Sequence, residues 1–259
     1  MKNITIISNP GKPAAKKFAE KIREWARKNK LPHPKFAVVL GGDGMMIKSA
    51  RKLAKDGIPL LGVNLGKLGF LAEVSAQDLL PALDRIARGR YGIEERSMLS
   101  IEIRRKKKLI RKFLAMNDAV LKNGELARAI DLRISIDGKV VNDIVADGVL
   151  IATPTGSTAY CLAAGGPIVH PKTKALIAVP ISPHSLTQRP LVVPDDEAFG
   201  LEVKSGRNLT ILSVDGQVHM RLKPGDAVKV KISDLKTKLI VFGHNDYFKV
   251  LKEKFKWGG

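Results

Sequence analysis

The apolar run Phe36–Leu40 and the glycine-rich turn after it constrain the fold of this 259-residue chain most strongly. Five successive apolar residues predict a strand that is covered on both faces, as in a parallel sheet. Three glycines then surround one carboxylate in Gly41-Gly42-Asp43-Gly44, directly before a helical pattern. A glycine turn between a strand and a helix presents backbone N–H groups that can bind an anion. The segment therefore predicts an α/β sheet with a phosphate-binding turn.

Asp43 needs a separate explanation, because a carboxylate within a phosphate-binding turn would repel phosphate. It could accept a proton from an attacking hydroxyl group, or it could help to hold a divalent cation. It could equally be the N-cap of a helix that follows an ordinary glycine turn. The turn by itself leaves these alternatives open.

The chain changes its pattern after about residue 91. Strand-type and helix-type patterns alternate from Ile4–Ser8 to Pro59–Val63, which predicts a doubly wound, Rossmann-like α/β domain. Short β-type runs follow, separated by turn pairs such as Asp137-Gly138, and they predict an all-β, sandwich-like domain. The tail adds a strand pattern and an amphipathic helix, Tyr247–Phe255, in which Phe248, Leu251 and Phe255 are expected to be buried.

Composition limits the possible partners of the chain. Lys and Arg number 45 against 25 Asp and Glu, so the net charge is +20, which favours anionic partners such as nucleic acid, anionic lipid or phosphorylated molecules. A solvated lysine-rich surface explains the same charge. A single cysteine, Cys161, excludes an internal disulfide framework, and the five histidines lack metal-ligand spacing. With no secretory signal or membrane-spanning stretch in the pattern, a cytoplasmic protein is expected.

Two further segments carry groups suited to a nucleotide. Asn117-Asp118 offers amide and carboxylate groups that can hold ribose hydroxyls, although an Asx turn explains the same pair. A later strand ends in a Thr/Pro/Gly/Ser cluster before a short helix. There Tyr160 could stack on a base and Asp147 could accept from an exocyclic amine. Cys161 beside them is expected to be packed rather than reactive, since no basic residue nearby lowers its pKa.

Taken in chain order, these segments resemble the NAD kinase family, over most of the chain. The segments that carry the resemblance are GGDG at 41–44, NLGKLGFLAE at 64–73, Asn117-Asp118, ADGVLIATPTGSTAY at 146–160, GGPIVHP at 165–171, PISPHSLTQRPLVVP at 180–194 and SVDGQ at 213–217.

The resemblance implies a fold and a reaction. It implies an α/β domain over residues 1–95 plus 240–259, in which the tail packs back on the first domain, and a β-rich, NAD-binding domain over 96–239. The implied reaction is transfer of a terminal phosphoryl group from ATP or another donor, such as another nucleoside triphosphate or polyphosphate, to the 2′-hydroxyl of the adenosine ribose of NAD. A divalent cation, Mg²⁺, would arrive with the donor.

Individual roles follow from the same resemblance. Asp43 matches the catalytic carboxylate of the family, and Gly44 lies beside the dinucleotide. Asn117 and Asp118 match the pair that holds a ribose, and Asp147 matches an acidic residue that faces the dinucleotide. The full implied set is Asp43, Gly44, Lys48, Asn117, Asp118, Asp147, Thr158, Ala159, Tyr160, Cys161, Leu162, Ala163, Ser182 and Gln217.

The sequence departs from the family pattern at three of its positions. Met45 stands where a threonine is common, Asp118 stands where many members have glutamate, and Ala163 replaces a hydroxyl that some relatives use. These departures bear on donor preference and affinity. A neighbouring subunit completes the NAD site in the family, so a homodimer or homotetramer is expected, with no specific nucleic-acid partner and no membrane partner.

Two other functions are compatible with parts of the sequence. A lipid or sphingoid kinase would share the GGDG turn, and the positive charge would bring it to anionic membranes. That interpretation leaves Asn117-Asp118 and the segment at 146–160 unexplained. A non-catalytic nucleic-acid-binding protein would rest on charge alone, because aromatic residues make up only 5% of the chain and no helix-turn-helix or zinc pattern is present.

Overall fold

The structure of the protein is a computed structural model that divides into two compact units. One unit comprises Met1–Glu95 with Thr237–Gly259, and the other comprises Arg96–Lys236. The structure describes residues 4–9, 11, 13–29, 35–66, 69–124, 129–204, 209–243 and 247–256. Lys67 and Leu68, within the segment NLGKLGFLAE, lie outside the described residues.

The first 96 residues alternate strands with helices. These elements are β1 (Ile4–Ser8), α1 (Pro13–Lys28), β2 (Phe36–Leu40), α2 (Asp43–Leu53), β3 (Leu60–Asn64), β4 (Val74–Ser75), α3 (Leu79–Ala87) and β5 (Gly92–Arg96).

Strands dominate the chain from residue 99 to residue 232, and one strand and one helix follow. The elements are β6 (Leu99–Arg105), β7 (Lys108–Ala115), β8 (Asp118–Asn123), β9 (Ile130–Ile136), β10 (Lys139–Ala152), α4 (Tyr160–Ala163), β11 (Ala175–Pro183), β12 (Leu191–Pro194), β13 (Ala198–Val203), β14 (Thr210–Val214), β15 (Val218–Leu222), β16 (Asp226–Ile232), β17 (Thr237–Val241) and α5 (Tyr247–Phe255).

The first unit is built on a sheet of β1, β2, β3, β17 and β5, in that order, with β4 beside β3. The pairs among β1, β2, β3 and β17 are parallel, and every residue of β2 and β3 is buried. Helix α1 packs on the sheet through Ala15, Ala19 and Ile22, because these residues share one face at helical spacing. The predicted parallel strand Phe36–Leu40 is confirmed.

The tail of the chain belongs to this first unit. Strand β17 lies between β3 and β5, with Leu239 opposite Leu60, and α5 buries Val250 and Leu251. The expectation that Phe248, Leu251 and Phe255 are buried is confirmed for Leu251 and wrong for Phe248, which is 59% exposed, while Phe255 is half-buried. The helix buries Val250 beside Leu251 instead of Phe248.

The second unit is an antiparallel sheet in the order β15, β14, β8, β10, β9, β13, β16, β6 and β7, with β11 paired to β10 and β12 paired to β11. The 14-residue strand β10 pairs with β9 through its first half and with β8 and β11 through its second half. A large apolar core forms on this sheet, with Ile101, Leu121, Leu132 and Phe199 fully buried. The predicted class, an α/β unit with a sandwich-like β unit, is confirmed.

The dense basic run at residues 104–108 lies at the tip of the β6–β7 hairpin. Lys106 and Lys107 both adopt positive φ between β6 and β7, which is the backbone of a tight two-residue turn. Among the described residues, the helices are too short or too polar to cross a membrane.

Candidate active site

Asp43 is the first residue of α2, at the point where β2 ends. Gly42 before it has an extended backbone, with φ −90° and ψ −170°, and the carbonyl of Gly42 accepts the first hydrogen bonds of the helix, from Met45 and Met46. Gly42 is therefore the N-cap residue, and Asp43 does not act as a side-chain cap. The sequence places this carboxylate at the carboxyl end of a buried parallel strand, where open α/β sheets bind ligands.

The carboxylate of Asp43 is fixed by the segment that follows β3. The backbone N–H of Phe70 donates to Oδ2 over 3.0 Å, and that of Leu71 donates to Oδ1 over 3.1 Å. Gly69 lies so close that a Cβ at that position would collide with the carboxylate of Asp43. The glycine is therefore required for this close approach, and the two N–H groups set the direction in which Asp43 points.

The two other predicted residues near this turn, Gly44 and Lys48, are exposed. Gly42 is exposed too, and a Cβ built on it would meet no atom within 4 Å. Gly41 differs, because its Cβ would lie 2.9 Å from the Cβ of Met45. Packing therefore explains the absence of a side chain at Gly41, whereas the space beside Gly42 is open to a ligand.

In the second unit, Asn117 and Asp118 are held by a residue distant in sequence, Asp215. The Asp215 carboxylate accepts the backbone N–H of Met116 at 3.1 Å, of Asn117 at 2.7 Å and of Asp118 at 3.1 Å. In return, the N–H of Asp215 donates to the carbonyl of Asp118. Asp215 lies in the β14–β15 hairpin with φ +51°, and Gly216 beside it has φ +64°. The conformation of this turn points the carboxylate of Asp215 toward the backbone at the start of β8.

Asp118 is a buried carboxyl group whose neighbour, Asp215, is also acidic. Its side chain is buried, with only 4% of the residue exposed, and the neighbouring Asp215 carries the same charge. Burial, and then the repulsion from Asp215, raise the pKa of Asp118 to about 7. Asp118 can therefore exchange a proton near neutral pH.

The segment 153–157 is a scaffold that supports Asn117. The Thr153 hydroxyl donates to the carbonyl of Met116 at 2.7 Å and accepts the N–H of Gly156. Gly156 touches the backbone of Asn117 so closely that a Cβ would overlap it. Ser157, fully buried, donates to the carbonyl of Pro154 and accepts the N–H of Val169. The threonine, glycine and serine of this segment thus serve packing rather than direct ligand contact.

An open pocket of about 310 Å³ lies in front of these residues. Asn117, Asp118, Ala159 and Tyr160 line it together, so the structure brings four of the predicted site residues to one place. Tyr160 is 45% exposed, and its ring is accessible from the pocket. The complete lining is Asn117, Asp118, Val120, Lys122, Ala159, Tyr160, Ser213, Asp215, Gly216 and His219.

Three of the predicted residues next to Tyr160 are not part of this lining. Cys161 is fully buried among Val120, Leu150 and Val179, so its side chain is closed to a ligand. Burial raises the pKa of the Cys161 thiol to about 12, with a further contribution from Asp118. Leu162 and Ala163 continue the short helix α4.

The remaining predicted residues of the second unit lie outside this lining, and of these Asp147, Ser182 and Gln217 are exposed. Asp147 and Ser182 are on neighbouring strands, whose register pairs Gly148 with Ile181. Ser182 has a positive φ of 44°. Gln217 is exposed and closes the β14–β15 turn with its N–H on the carbonyl of Val214, and Thr158 is half-buried.

Sequence reasoning missed Asp215 as a site residue. The Asp-Gly pair signals a hairpin turn, which the structure confirms, but the carboxylate acts on residues 97 to 99 positions earlier. Lys122, Ser213 and His219 were missed for a similar reason, because the pairing of β8, β14 and β15 brings them to the pocket. The alternation of residues along one strand predicts which side of the sheet each side chain is on. Which residues of other strands lie next to it depends on the pairing register, which the sequence does not show.

Comparison with known proteins places the two units in known families. The N-terminal domain model of ATP-NAD kinase matches residues 33–91, and the C-terminal domain model matches residues 116–242. The NAD kinase of Koribacter versatilis is 39% identical over 283 residues, covering 100% of this chain and 99% of that protein. The NAD kinase of Acidobacterium capsulatum is 46% identical over 226 residues, covering 87% of this chain and 79% of that protein.

Solved structures agree with these matches. The crystal structure of yeast NADH kinase complexed with NADH superposes with a TM-score of 0.87 at 27% identity, covering 99% of this chain and 88% of that chain. The structure of an NAD kinase from Archaeoglobus fulgidus in complex with ATP has a TM-score of 0.79 at 24% identity, covering 99% of this chain and 100% of that chain, and shows the shared fold.

Fold, site and relatives together define the class of protein, a kinase that transfers a phosphoryl group to an alcohol. The chain belongs to the NAD kinase family. The alternatives of a lipid kinase and a nucleic-acid-binding protein are not favoured, because the family models match both units.

Proposed function

We propose that this protein phosphorylates the 2′-hydroxyl of the adenosine ribose of NAD, giving NADP. Family membership supports the substrate pair, and the observation that carries the chemistry is the fixed carboxylate of Asp43 at the start of α2. A carboxylate held in one direction beside open backbone is suited to orienting a hydroxyl group and accepting its proton.

Asp43 acts on the nucleophile. The 2′-oxygen forms a bond to the terminal phosphorus of the donor, while the bond from that phosphorus to its bridging oxygen breaks. The hydroxyl proton passes to Asp43, and the donor leaves with one phosphate fewer. Because phosphoryl transfer goes through a loose transition state, alignment and charge stabilisation account for most of the rate.

The exposed residues of the glycine turn bind the donor in this proposal. Gly42 and Gly44 leave room for phosphate oxygens near the start of α2, and the helix dipole favours negative charge there. Lys48, exposed one turn later, supplies a positive charge. ATP is the donor that we propose first, with other nucleoside triphosphates and polyphosphate as candidates.

The divalent cation belongs to the donor. Within the described part of the chain, no group of three or more His, Cys, Asp or Glu side chains is arranged to hold a metal ion. In our proposal the cation is Mg²⁺, which arrives bound to the phosphates of the donor and neutralises their charge.

The pocket of the second unit binds the adenosine part of NAD. Asn117 and Asp118 offer an amide and a carboxyl group to the ribose hydroxyls, and Tyr160 offers a ring face to the base. Ala159 between them leaves room for the base. Asp118 lines this pocket and is 4% exposed.

We further propose that the active protein is a homodimer or homotetramer. Asp147 and Ser182 are exposed on β10 and β11, outside the lining of the pocket, so they are available to a second subunit. Val140, Val141 and Val145 on β10 are 45–59% exposed, and such a patch of aliphatic side chains favours association. Light scattering after size exclusion measures the mass in solution, and a monomer at micromolar concentration would contradict this proposal.

The decisive experiment measures NADP formation with an NADP-specific dehydrogenase, for the wild type and for Asp43→Asn. We expect the wild type to form NADP from NAD and MgATP, and Asp43→Asn to keep NAD binding while kcat falls by about 10²–10⁴-fold, the usual contribution of a general base. Glu20→Gln, an exposed carboxyl on α1, is the control and should retain wild-type turnover. Near-normal turnover in Asp43→Asn would remove Asp43 from the base role.

A further inference from the structure

Phe70 connects the proposed catalytic carboxylate to the C-terminal helix. Its backbone N–H donates to Oδ2 of Asp43, and its ring packs against the ring of Phe255 in α5. The two ring centroids are 6.0 Å apart and the planes are inclined by 34°, a favourable tilted arrangement. One residue therefore contacts both Asp43 and the last helix of the chain.

The same segment is tied to the tail at a second point. Glu73, three residues after Phe70, accepts the backbone N–H of Phe242 with Oε1 at 2.9 Å. Phe242 directly follows β17, and its ring stacks under the guanidinium of Arg85, 4.5 Å from the ring centroid. Residues 70–73 are thus fixed by a ring contact and by a hydrogen bond, both made by the C-terminal tail.

Buried residues lie on both sides of the Phe70–Phe255 contact. Next to Phe70, Leu71 and Ala72 are 7% and 2% exposed, and the backbone N–H of Leu71 donates to the other oxygen of Asp43. In α5, Val250 and Leu251 are buried, so the helix that carries Phe255 is packed as well. The ring contact therefore joins the segment that holds Asp43 to the C-terminal helix.

We propose that Phe255 is a positioning residue for catalysis: α5 holds Phe70, and through its N–H the carboxylate of Asp43, in the direction needed to orient the substrate hydroxyl. This inference rests on the proposed role of Asp43 as general base. A small displacement of a reacting group slows an enzyme strongly, by up to about 10²-fold for 1 Å. The tail of the chain is then part of the catalytic apparatus without touching the substrate.

The first test compares variants of α5 in the full-length protein by steady-state kinetics. Phe255→Ala should lower kcat by about tenfold while the KM values for NAD and MgATP stay within about twofold, because substrate-binding groups are unchanged. Phe255→Tyr keeps the ring and should retain wild-type kcat. Phe248→Ala removes an aromatic ring from the exposed side of the same helix and should also behave as wild type.

A second comparison separates positioning from loss of stability. Leu251→Ala removes a buried side chain of α5 that makes no ring contact with Phe70, and it should lower the melting temperature at least as much as Phe255→Ala. Assayed well below both melting temperatures, Leu251→Ala should lose less than about threefold in kcat. If Phe255→Ala does not fold, Phe255→Leu replaces it, with an expected loss of at least about threefold.

The third comparison tests whether Phe255 acts through Asp43. In the background of Asp43→Asn, Phe255→Ala should lower the residual kcat by less than about twofold, since the group being positioned is already absent. Equal losses in both backgrounds, or equal kcat for Phe255→Ala and Leu251→Ala, would overturn the inference. Neither result touches the proposed function, which fails only if the wild type forms no NADP or if Asp43→Asn is fully active.

Discussion

At the residue scale, the two proposed functional carboxyl groups have opposite surroundings. Asp43 is half-buried, and two backbone N–H groups face its oxygens. Asp118 is buried, and a second carboxylate, Asp215, lies beside it. The first arrangement fixes the direction of a group that acts as a base. The second arrangement makes the ionised form of Asp118 unfavourable. A bound ribose could stabilise that form by donating hydrogen bonds from its hydroxyl groups to the Asp118 carboxylate.

The buried Asp118 predicts a specific dependence of stability on pH. Its pKa is about 7 in the folded protein against an ordinary value of 3.8, so between these values the folded state binds the extra proton. The contribution of Asp118 to stability is therefore fully present below the ordinary pKa and is lost as the pH rises through about 7. Relative to Asp118→Asn, the free energy of unfolding of the wild type should fall by about 2–4 kcal/mol between about pH 4 and about pH 8.

Urea unfolding of both proteins at several pH values measures this difference. Asp196→Asn, at an exposed carboxyl, is the control and should follow the wild type. Parallel stability curves for the wild type and Asp118→Asn would show that the buried carboxyl is not the source of the pH dependence.

Gly42 predicts a separation of stability from function. Its φ of −90° suits any residue, and a methyl group there would meet no atom within 4 Å. Gly42→Ala should therefore leave the melting temperature within about 3 °C of the wild type, since the loss at the N-cap and the gain in the unfolded state nearly cancel. If donor phosphates approach this backbone, the KM for MgATP should rise by about tenfold.

Gly41→Ala is the contrasting variant, because its methyl group would lie 2.9 Å from the Cβ of Met45. It should lose stability as well as activity. An unchanged KM for MgATP in Gly42→Ala would show that phosphate does not approach the turn at this position.

At the scale of elements, the turn over residues 155–158 supports the start of β8. The backbone of Gly156 packs on Asn117, and a methyl group there would lie 2.6 Å from the carbonyl carbon of Asn117. Gly156→Ala should force the two segments apart, lower stability by about 1–3 kcal/mol and raise the KM for NAD by about tenfold, with the KM for MgATP little changed. Steady-state kinetics with each substrate varied in turn provides the measurement, and an unchanged KM for NAD would contradict it.

The elements of the first unit could be predicted closely because each depends on local pattern. The continuous apolar run at 36–40 and the helical spacing before and after it fix strand and helix types without knowledge of the partners. Strand β10 could not be predicted at its full length. The apolar run Val149–Ala152 is typical of a strand, but the strand begins at Lys139, where exposed Val140 and Val141 break the alternation expected of a half-buried strand.

The candidate site shows the same division between local and long-range information. Asp43 and Tyr160 were found from residue type and local setting, and the structure gives them the exposure that their proposed roles need. Asp215 was missed because its function is to hold a turn about a hundred positions away. The contact of Phe255 with Phe70 was equally invisible, since nothing local to either residue indicates the other.

At the scale of the whole molecule, the chain builds its first unit from two distant segments. Strand β17, from the tail, lies between β3 and β5, so the sheet is complete only when residues 237–241 have been added. The second unit is a continuous stretch, Arg96–Lys236, with its own core. The two units therefore depend on the end of the chain in different ways.

This connectivity predicts the effect of truncation. A chain that ends after Lys236 lacks β17, an internal strand of the first sheet. Strand β5 then has no neighbour, and the backbone groups of β3 that pair with β17 are left unpaired. The apolar faces that β17 covers through Leu239 and Ile240 would be exposed. Residues 1–95 should then lose their hydrogen-exchange protection, while Arg96–Lys236 keeps it.

A chain that ends after Gly243 retains β17 and should keep protection in β2 and β3, but it lacks α5 and should lose kcat at least as strongly as Phe255→Ala. Native-like protection of β2 and β3 in the shorter chain would contradict this account, because it would mean that the first sheet forms without the strand between β3 and β5.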